Sequence, residues 1–463
     1  MISDLRPTQI AGLIVGVAAL LIGLSAPFDC LSTPIQQVLG LAVFALIFWT
    51  IEPVPIELSS LWVLLLLPAL GLLDFEQSFA PFATKTIWLI FAGMALSLGL
   101  TATGLSESLA SWTQNRLSTR PFLLLGQLHL AGLVAALLIP SGVVRVLLLM
   151  PLGSALADRM RGSQSELVRA AILLSLLCST YFGGCGLLTG AVPNLVLAGR
   201  FEQAQQMPIF WATWFYWMFP LIGLGRVLLS LVVIWLLYGR HLRSDDLAMN
   251  STEQPSALRP EQMRALGILV VGILLWATDL VHHIPPAYIG LLLVVLFTLP
   301  RWGPLPFARL AEVRFSFLFY IAALFSLGTA LNATRFDQLF IDAASQRIDL
   351  DALGWLQKHL VLSLMVLPLD FLMDIGAVAA VTTAPVMEFA ALHNIPPLTA
   401  AFCVAMATTL AFLPYQSAPF MVAYGFRQFT LSQLISTQAL ISGISLMVIC
   451  PLNVVYWRFV GLI

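Results

Sequence analysis

Long apolar segments follow one another along the whole chain. Many are close to the ~20 residues that cross a bilayer as a helix, and short polar loops separate them. Two segments, 122–156 and 359–391, are too long for one crossing and are interrupted by Pro140-Ser141-Gly142 and by Asp374-Ile375-Gly376. We interpret both as re-entrant hairpins. The pattern predicts an all-α polytopic membrane protein with about 11 transmembrane helices and two hairpins.

Two further apolar segments contain sequences that break helices. Gly183 to Asn194 lies within the segment 168–198, and Leu413 to Pro419 lies within 398–425. Backbone polar groups cannot be left bare in lipid, so such breaks persist only where protein or a water-filled cavity surrounds them. The two breaks therefore mark places where a binding site is expected.

The chain divides into two halves that repeat one another. Trp49-Thr50-Ile51-Glu52 is echoed by Trp276-Ala277-Thr278-Asp279, and each half contains one hairpin followed by one broken helix. An odd number of crossings between equivalent elements inverts the second copy, and inverted repeats are typical of secondary transporters. The predicted organisation is a first inverted repeat, 1–239, with hairpin 122–156 and broken helix 168–198; a cytoplasmic linker, 240–264; and a second inverted repeat, 265–463, with hairpin 359–391 and broken helix 398–425.

Composition and charge narrow the class of protein. Hydrophobic residues make up 59% of the chain and charged residues only 10%, which indicates an integral membrane protein. The net charge of -1 gives no indication of a nucleic-acid partner. By the positive-inside rule, the arginine-rich loops predict a multi-pass protein of the cell membrane, with a cytoplasmic N-terminus and an external C-terminus. The basic residues assigned to outer loops or the C-terminus are Lys85, Arg200, Arg335, Arg347, Lys358 and Arg458.

A guanidinium within the first hairpin is the leading candidate for binding chemistry. Arg145 lies between two strongly apolar runs, where a charge costs roughly 3 kcal/mol or more. Its partner could be a bound anion, because the guanidinium fork matches carboxylate or sulfate oxygens. It could instead be an intramembrane carboxylate, Asp370 or Asp374. In a third interpretation Arg145 marks a helix end near the membrane surface.

The same two carboxylates are candidates for coupling transport to protons. Such a carboxylate would pair with Arg145 in the empty site and take up a proton when substrate arrives. It would thereby couple anion transport to proton transport. We assign this coupling role to Asp374 or Asp370. The alternative for Asp374 is an external cap on the hairpin.

Several motifs in order resemble a known family. They are the Phe48–Pro55 turn, the Leu98–Leu105 helix end, both hairpins and the Gly-rich stretch that ends in Pro193-Asn194. In these features the chain resembles the divalent anion/sodium symporter family, which carries dicarboxylates or sulfate. That family belongs to the ion transporter superfamily that also contains arsenite pumps and sodium/proton antiporters. The resemblance implies a homodimeric elevator-type transporter, in which hairpins and broken helices move against a scaffold.

The hairpin tips depart from the pattern of that family. There each tip carries Ser-Asn-Thr, a small residue and a second Thr, which bind sodium and a substrate carboxylate. The matching positions here are Ser141, Gly142, Val143, Val144 and Arg145 in the first hairpin, and Ile375, Gly376, Ala377, Val378 and Ala379 in the second. Only Ser141 matches. We expect no metal site and no cofactor, although sodium held by backbone carbonyls remains possible, and we expect Arg145 to supply the positive charge that sodium supplies in relatives.

The candidate substrate-binding residues lie at the two tips and the two breaks. Buried hydrogen bonds between helices are the alternative role for the polar ones among them. Arg226, within the seventh apolar segment, is expected to reach the membrane surface or to pair locally, and the alternative is that it lines a transport path. The candidate set is Ser141, Gly142, Val143, Arg145, Thr189, Pro193, Asn194, Gly376, Ala377, Gln416, Ser417 and Pro419.

The predicted function is secondary active transport of a small divalent anion, a dicarboxylate such as succinate or else sulfate. We expect it to be independent of sodium, working by exchange or with protons. The alternatives are a sodium-coupled symporter that uses backbone ligands, and an anion channel on the same fold. An enzyme is not expected, because the chain contains no HExxH, no GxSxG and no paired catalytic carboxylates. The expected partners are the small anion and the lipid bilayer.

Overall fold

The fold is built of helices and the turns between them. The structure, a computed structural model, describes residues 7–29, 31–105, 108, 117–160, 165–247, 258–371 and 374–463, so residues 248–257 of the predicted linker lie outside it. These ranges contain no β-strand. Within them, 7 helices are long and apolar enough to cross a membrane, and several shorter apolar helices accompany them. The predicted all-α polytopic membrane fold is confirmed.

The α-helices of the first half are α1 (Pro7–Ser25), α2 (Thr33–Ile51), α3 (Ile56–Ala69), α4 (Phe75–Phe79), α5 (Lys85–Thr103), α6 (Pro121–Leu138), α7 (Gly142–Arg159), α8 (Glu166–Cys185), α9 (Val192–Gln205), α10 (Trp211–Met218) and α11 (Arg226–Leu237). Those of the second half are α12 (Pro260–Ala277), α13 (Asp279–His282), α14 (Pro286–Thr298), α15 (Phe317–Ala333), α16 (Phe336–Ser345), α17 (Trp355–Asp370), α18 (Ile375–Ala391), α19 (Pro397–Ala407), α20 (Ala418–Gly425), α21 (Leu431–Ile444) and α22 (Cys450–Val460). Two π-helical segments, Phe219–Gly225 and Ser445–Ile449, precede α11 and α22.

The chain forms two compact units, and both halves of the sequence contribute to each. Unit 1 consists of Met1–Phe91, Val196–Pro208 and Arg314–Thr408. Unit 2 consists of Ala92–Leu195, Ile209–Val313 and Thr409–Ile463. The boundaries of the predicted inverted repeats stay a prediction.

Each hairpin is a pair of helices with a short break at its tip. The first consists of α6 and α7, and Ile139 between them is extended because the following Pro140 disfavours helical geometry there. Ser141 then caps α7, its hydroxyl accepting a bond from the backbone N–H of Val144. The second consists of α17 and α18, and the Asp374 carboxylate caps α18 through the backbone N–H of Gly376.

Both predicted helix breaks are interruptions in the structure. Helix α8 ends at Cys185, a 3₁₀ turn covers Leu188–Gly190, and α9 begins at Val192. The second break runs from the end of α19 through the 3₁₀ turn Pro414–Gln416 to the start of α20.

One almost completely buried helix organises the core of each unit. In unit 2, α8 is buried from Ala170 to Cys185 and packs against α6, α7 and α11. In unit 1, α18 is buried along most of its length and packs against α15, α17 and α19. Each hairpin is therefore anchored through its contact with a central buried helix of its own unit.

A distant carboxylate caps α10. No side chain of the adjoining residues caps this helix, and Asp279 accepts bonds from the backbone N–H groups of Trp211, at 2.6 Å, and Ala212, at 3.2 Å. Asp279 is fully buried. We expect Asp279→Ala to lower the free energy of unfolding by about 2 kcal/mol, because two buried amides lose their acceptor. Asp279→Asn, which keeps one acceptor oxygen, should cost less.

Thermal unfolding in detergent measures this effect. The control is Asp342→Ala, since Asp342 is exposed. A midpoint unchanged in Asp279→Ala would show that the carboxylate does not stabilise the start of α10.

Candidate functional site

Arg145 lies in the first turn of α7, directly behind the tip of the first hairpin. Helical side chains point toward the N-terminus of their helix, which directs this one back to the break. Its side chain is 1% exposed. Nη1 donates to the carbonyl of Ile139 at 2.6 Å, and Nη2 donates to the carbonyls of Gly190 at 2.8 Å and Thr180 at 3.2 Å. The guanidinium therefore joins the hairpin tip to the first broken helix within unit 2.

The positions of these carbonyls explain the contact. Helices leave their last carbonyls without partners, and these carry the negative end of the helix dipole. Ile139 follows the end of α6, and Gly190 ends the 3₁₀ turn inside the break. A positive charge is stabilised at such places, and among the described residues of unit 2 no carboxylate forms an ion pair with Arg145.

Two glycines make room for this arrangement. A Cβ atom at Gly184 would collide with Nη2 of Arg145, and one at Gly190 would collide with the backbone of Gly184. At the hairpin tip, a Cβ at Gly142 would lie 3.0 Å from Cγ of Pro419. The candidate residues Gly142 and Pro419 therefore lie close together, as do Arg145 and the first break. Val143 lies one residue further along the first turn of α7.

Asn194 and Thr189 help to close the first break. Nδ2 of Asn194 donates to the carbonyls of Leu187, at 2.8 Å, and Cys185, at 3.0 Å. The hydroxyl of Thr189 accepts a bond from Trp211 Nε1 at 3.2 Å. These are the buried hydrogen bonds that the sequence analysis gave as the alternative role. Binding of substrate by Thr189, Asn194 and the buried Pro193 stays a prediction.

The second break is folded around a glutamine. Oε1 of Gln416 accepts bonds from the backbone N–H groups of Leu413, at 2.6 Å, and Phe412, at 2.7 Å, and the side chain is fully buried. Ser417 precedes α20 and is buried without capping it. The amide of Gln416 thus shapes the break, and substrate roles for Gln416, Ser417 and Pro419 stay predictions.

The candidate residues of the second hairpin lie in unit 1. Gly376 and Ala377 are buried in the first turn of α18. Oδ1 of Asp374 accepts from the backbone N–H of Gly376, at 2.8 Å, and from the hydroxyl of Tyr320, at 3.2 Å. This is the capping role given as the alternative for Asp374. Asp370, the last residue of α17, is fully buried, and a coupling role for either carboxylate stays a prediction.

Arg226 forms an internal brace, a set of buried hydrogen bonds to Ser445 and Thr409, which differs from the expectation for this residue. It is fully buried in unit 2, so the expectation that it reaches the membrane surface is wrong. Nε donates to the Ser445 hydroxyl at 2.7 Å, and Nη1 donates to the hydroxyl and carbonyl of Thr409 at 2.6 and 3.2 Å. These two partners lie 219 and 183 residues away in the chain, and local pairing stays a prediction. Arg226 and Ser445 adjoin the two π-helical segments, whose extra residue per turn no sequence pattern signalled.

Arg200 was assigned to an outer loop, and this assignment is wrong. It lies inside α9, and only 4% of it is exposed. The predicted apolar segment ends at Ala198 because polar residues follow, but α9 continues to Gln205.

Comparison with known proteins identifies the family. The family model described as Citrate transporter (CitMHS) matches residues 46–411. The chain belongs to this citrate transporter family. It is thus a transporter and not an enzyme, and the predicted class, an integral multi-pass membrane carrier of small anions, is confirmed. The narrower resemblance to the divalent anion/sodium symporters stays a prediction.

Relatives with curated names agree with this family. The L-tartrate/succinate antiporter of Escherichia coli K12 is 26% identical over 365 residues, which cover 74% of this chain and 72% of the relative. A membrane protein of Cupriavidus necator H16 is 24% identical over 487 residues, with 97% of this chain and 93% of the relative covered. The crystal structure of the Alcanivorax borkumensis YdaH transporter matches with a TM-score of 0.55 at 14% identity, covering 92% and 98% of the two chains. This last likeness supports the fold alone.

The brace formed by Arg226 can be tested by removing one acceptor. We expect Thr409→Val to lower the free energy of unfolding by about 1–2 kcal/mol, because a buried N–H of Arg226 loses the hydroxyl at 2.6 Å. The control is Thr101→Val, since Thr101 is exposed and its hydroxyl bonds only to carbonyls of its own helix. Thermal unfolding of both variants in detergent gives the comparison. Equal midpoints would contradict a stabilising brace.

Proposed function

We propose that this member of the citrate transporter family exchanges small dicarboxylates of the succinate class across the membrane without requiring sodium. The family and the relative named as an L-tartrate/succinate antiporter support the class of substrate. The observation that carries the sodium-independent mode is the guanidinium of Arg145, bonded to the three carbonyls of Ile139, Thr180 and Gly190.

Without the Arg145 side chain, those carbonyls would be available to bind a cation. Sodium binds to clusters of oxygen atoms, and carbonyls at the ends of broken helices are one source of them. Here Arg145 bonds to the carbonyl of Ile139 in the first hairpin and to two carbonyls of the first broken helix, while Val143 and Val144 have no side-chain oxygen to add. The site at the first hairpin therefore does not fit a resident sodium ion. An arginine stays protonated in proteins, so the positive charge is permanent.

The electrical work of transport then favours exchange. A dianion that crosses alone moves two charges, which costs about 4.6 kcal/mol against a potential of 100 mV. Relatives that bind sodium can compensate this charge with cations that cross alongside. Arg145 is part of the protein and is not released on the other side with the substrate. The simplest way to compensate the charge of the transported dianion is therefore a second dianion that crosses in the opposite direction. Proton uptake by Asp374 or Asp370 is the second way to reduce the transported charge.

The direct test uses purified protein in liposomes with labelled succinate outside. We expect uptake only into liposomes loaded with succinate or tartrate, at a rate that stays the same when potassium or choline replaces sodium. Uptake into empty liposomes driven by a sodium gradient would establish the symporter alternative instead. A current that does not saturate with succinate would indicate a channel. Stimulation of uptake into empty liposomes by an inward proton gradient would indicate proton coupling.

The role of Arg145 can be tested in the same liposomes. Arg145→Ala removes the charge and all three hydrogen bonds, so we expect exchange to fall about tenfold or more. Adding guanidinium ion should restore part of the lost activity, because the ion can occupy the carbonyls that the side chain has left. Arg145→Lys, which keeps the charge without the fork, should retain an intermediate rate.

The control is Arg347→Ala, since Arg347 is exposed. Exchange by a folded Arg145→Ala variant at the rate of the unmodified protein would exclude Arg145 from the site.

A further inference from the structure

Arg200 is a buried cation in unit 1 that the function described so far does not use. Its guanidinium lies against α15, where a Cβ at Gly328 would be 3.1 Å from Cζ and 3.2 Å from Nη2. The carbonyl oxygen of Ala380, in α18 of the second hairpin, would lie 3.2 Å from the same point. Glycine at position 328 therefore leaves the space in which the guanidinium lies, beside the second hairpin.

The guanidinium is poor in partners. It carries five N–H donors, and among the described residues its one hydrogen bond joins Nη1 to Oε1 of Gln203, at 2.9 Å, on the same helix. Nε is buried without an acceptor. The neighbouring carboxylate, Glu202, is bonded to Lys85 Nζ at 2.6 Å, and no carboxylate in the described part of unit 1 forms an ion pair with Arg200.

The other two buried arginines differ in this respect. Nε of Arg145 is also buried without an acceptor, but both of its terminal nitrogens donate to carbonyls, in three hydrogen bonds. Arg226 donates to the hydroxyl and carbonyl of Thr409 and to the hydroxyl of Ser445. An unpaired charge in a protein interior is costly unless a counter-charge and hydrogen bonds reach it. Arg200 is charged and buried with free donors, and no described residue supplies its counter-charge.

We propose that Arg200 binds a carboxylate of the transported dicarboxylate. This inference rests on the proposed function and adds to it a substrate contact in unit 1. The planar fork of a guanidinium matches the two oxygens of a carboxylate, and a charge-assisted pair of hydrogen bonds is strong when water is excluded. The substrate supplies the counter-charge that the described residues of unit 1 do not.

The test compares Arg200→Gln with the unmodified protein in liposomes of zwitterionic lipid, which removes anionic headgroups as a competing ligand. We expect the KM for succinate exchange to rise about tenfold or more, because hydrogen bonds to a charged group are lost. The preference for succinate over its monoamide, which has one carboxylate, should shrink in the variant. Gly328→Ala keeps the charge but displaces the guanidinium, and should also raise KM. Arg347→Gln, at an exposed position, is the matched control.

Stability separates a binding role from a structural one. Removal of an uncompensated buried charge should leave the thermal midpoint of Arg200→Gln equal or higher without substrate, and should remove much of the rise that succinate produces in the unmodified protein. If Arg200→Gln does not fold, Arg200→Lys and Gly328→Ala carry the KM measurement.

The outcomes are distinct. A folded variant with unchanged KM and unchanged stabilisation by succinate overturns the role of Arg200 and leaves the proposed function intact. A lower midpoint with unchanged KM makes Arg200 structural and also overturns the inference. Displacement of succinate by sulfate at equal concentration overturns the assignment to carboxylates. Absence of dicarboxylate exchange by the unmodified protein overturns both proposals together.

Discussion

A helix that stops inside a membrane protein exposes backbone groups that lipid cannot satisfy, and everything near the candidate site is arranged around this constraint. At the first break, Arg145 and Asn194 donate to the carbonyls that the ends of helices leave open. At the second, the acceptor oxygen of Gln416 receives two backbone N–H groups. Side chains of the protein therefore bond to open backbone groups at both breaks. At the first break they donate to carbonyls, and at the second a side-chain oxygen accepts from N–H groups.

The described part of the chain contains three buried arginines, which differ in the acceptors around them. Arg145 and Arg226 are surrounded by carbonyl and hydroxyl oxygens, so their charge stabilises the fold where backbone dipoles end. Arg200 has one neutral acceptor on its own helix. All three are desolvated by burial, and among the described residues Arg145 and Arg226 have more hydrogen-bond acceptors than Arg200.

Much of this architecture could be predicted from the sequence, because apolar length and helix-breaking residues report directly on spans and breaks. The tip at Pro140-Ser141 and the break after Cys185 are examples. The direction in which a polar side chain points could not be predicted: an amide such as that of Gln416 has the same spacing whether it faces a ligand or its own backbone. The partners of Arg226 were hidden for a different reason, since they lie in segments that only the fold brings together. Arg200 was misplaced because hydropathy ends a segment where polar residues begin, although the helix continues within protein.

The bonds of Arg145 also have a mechanical consequence. The same guanidinium grips the end of α6 through Ile139 and the middle of the broken helix through Gly190, while its own backbone belongs to α7. These hydrogen bonds join the three segments at one point in the interior of unit 2. Separation of the first hairpin from the first break would break these hydrogen bonds inside the protein, so they oppose such a separation within unit 2.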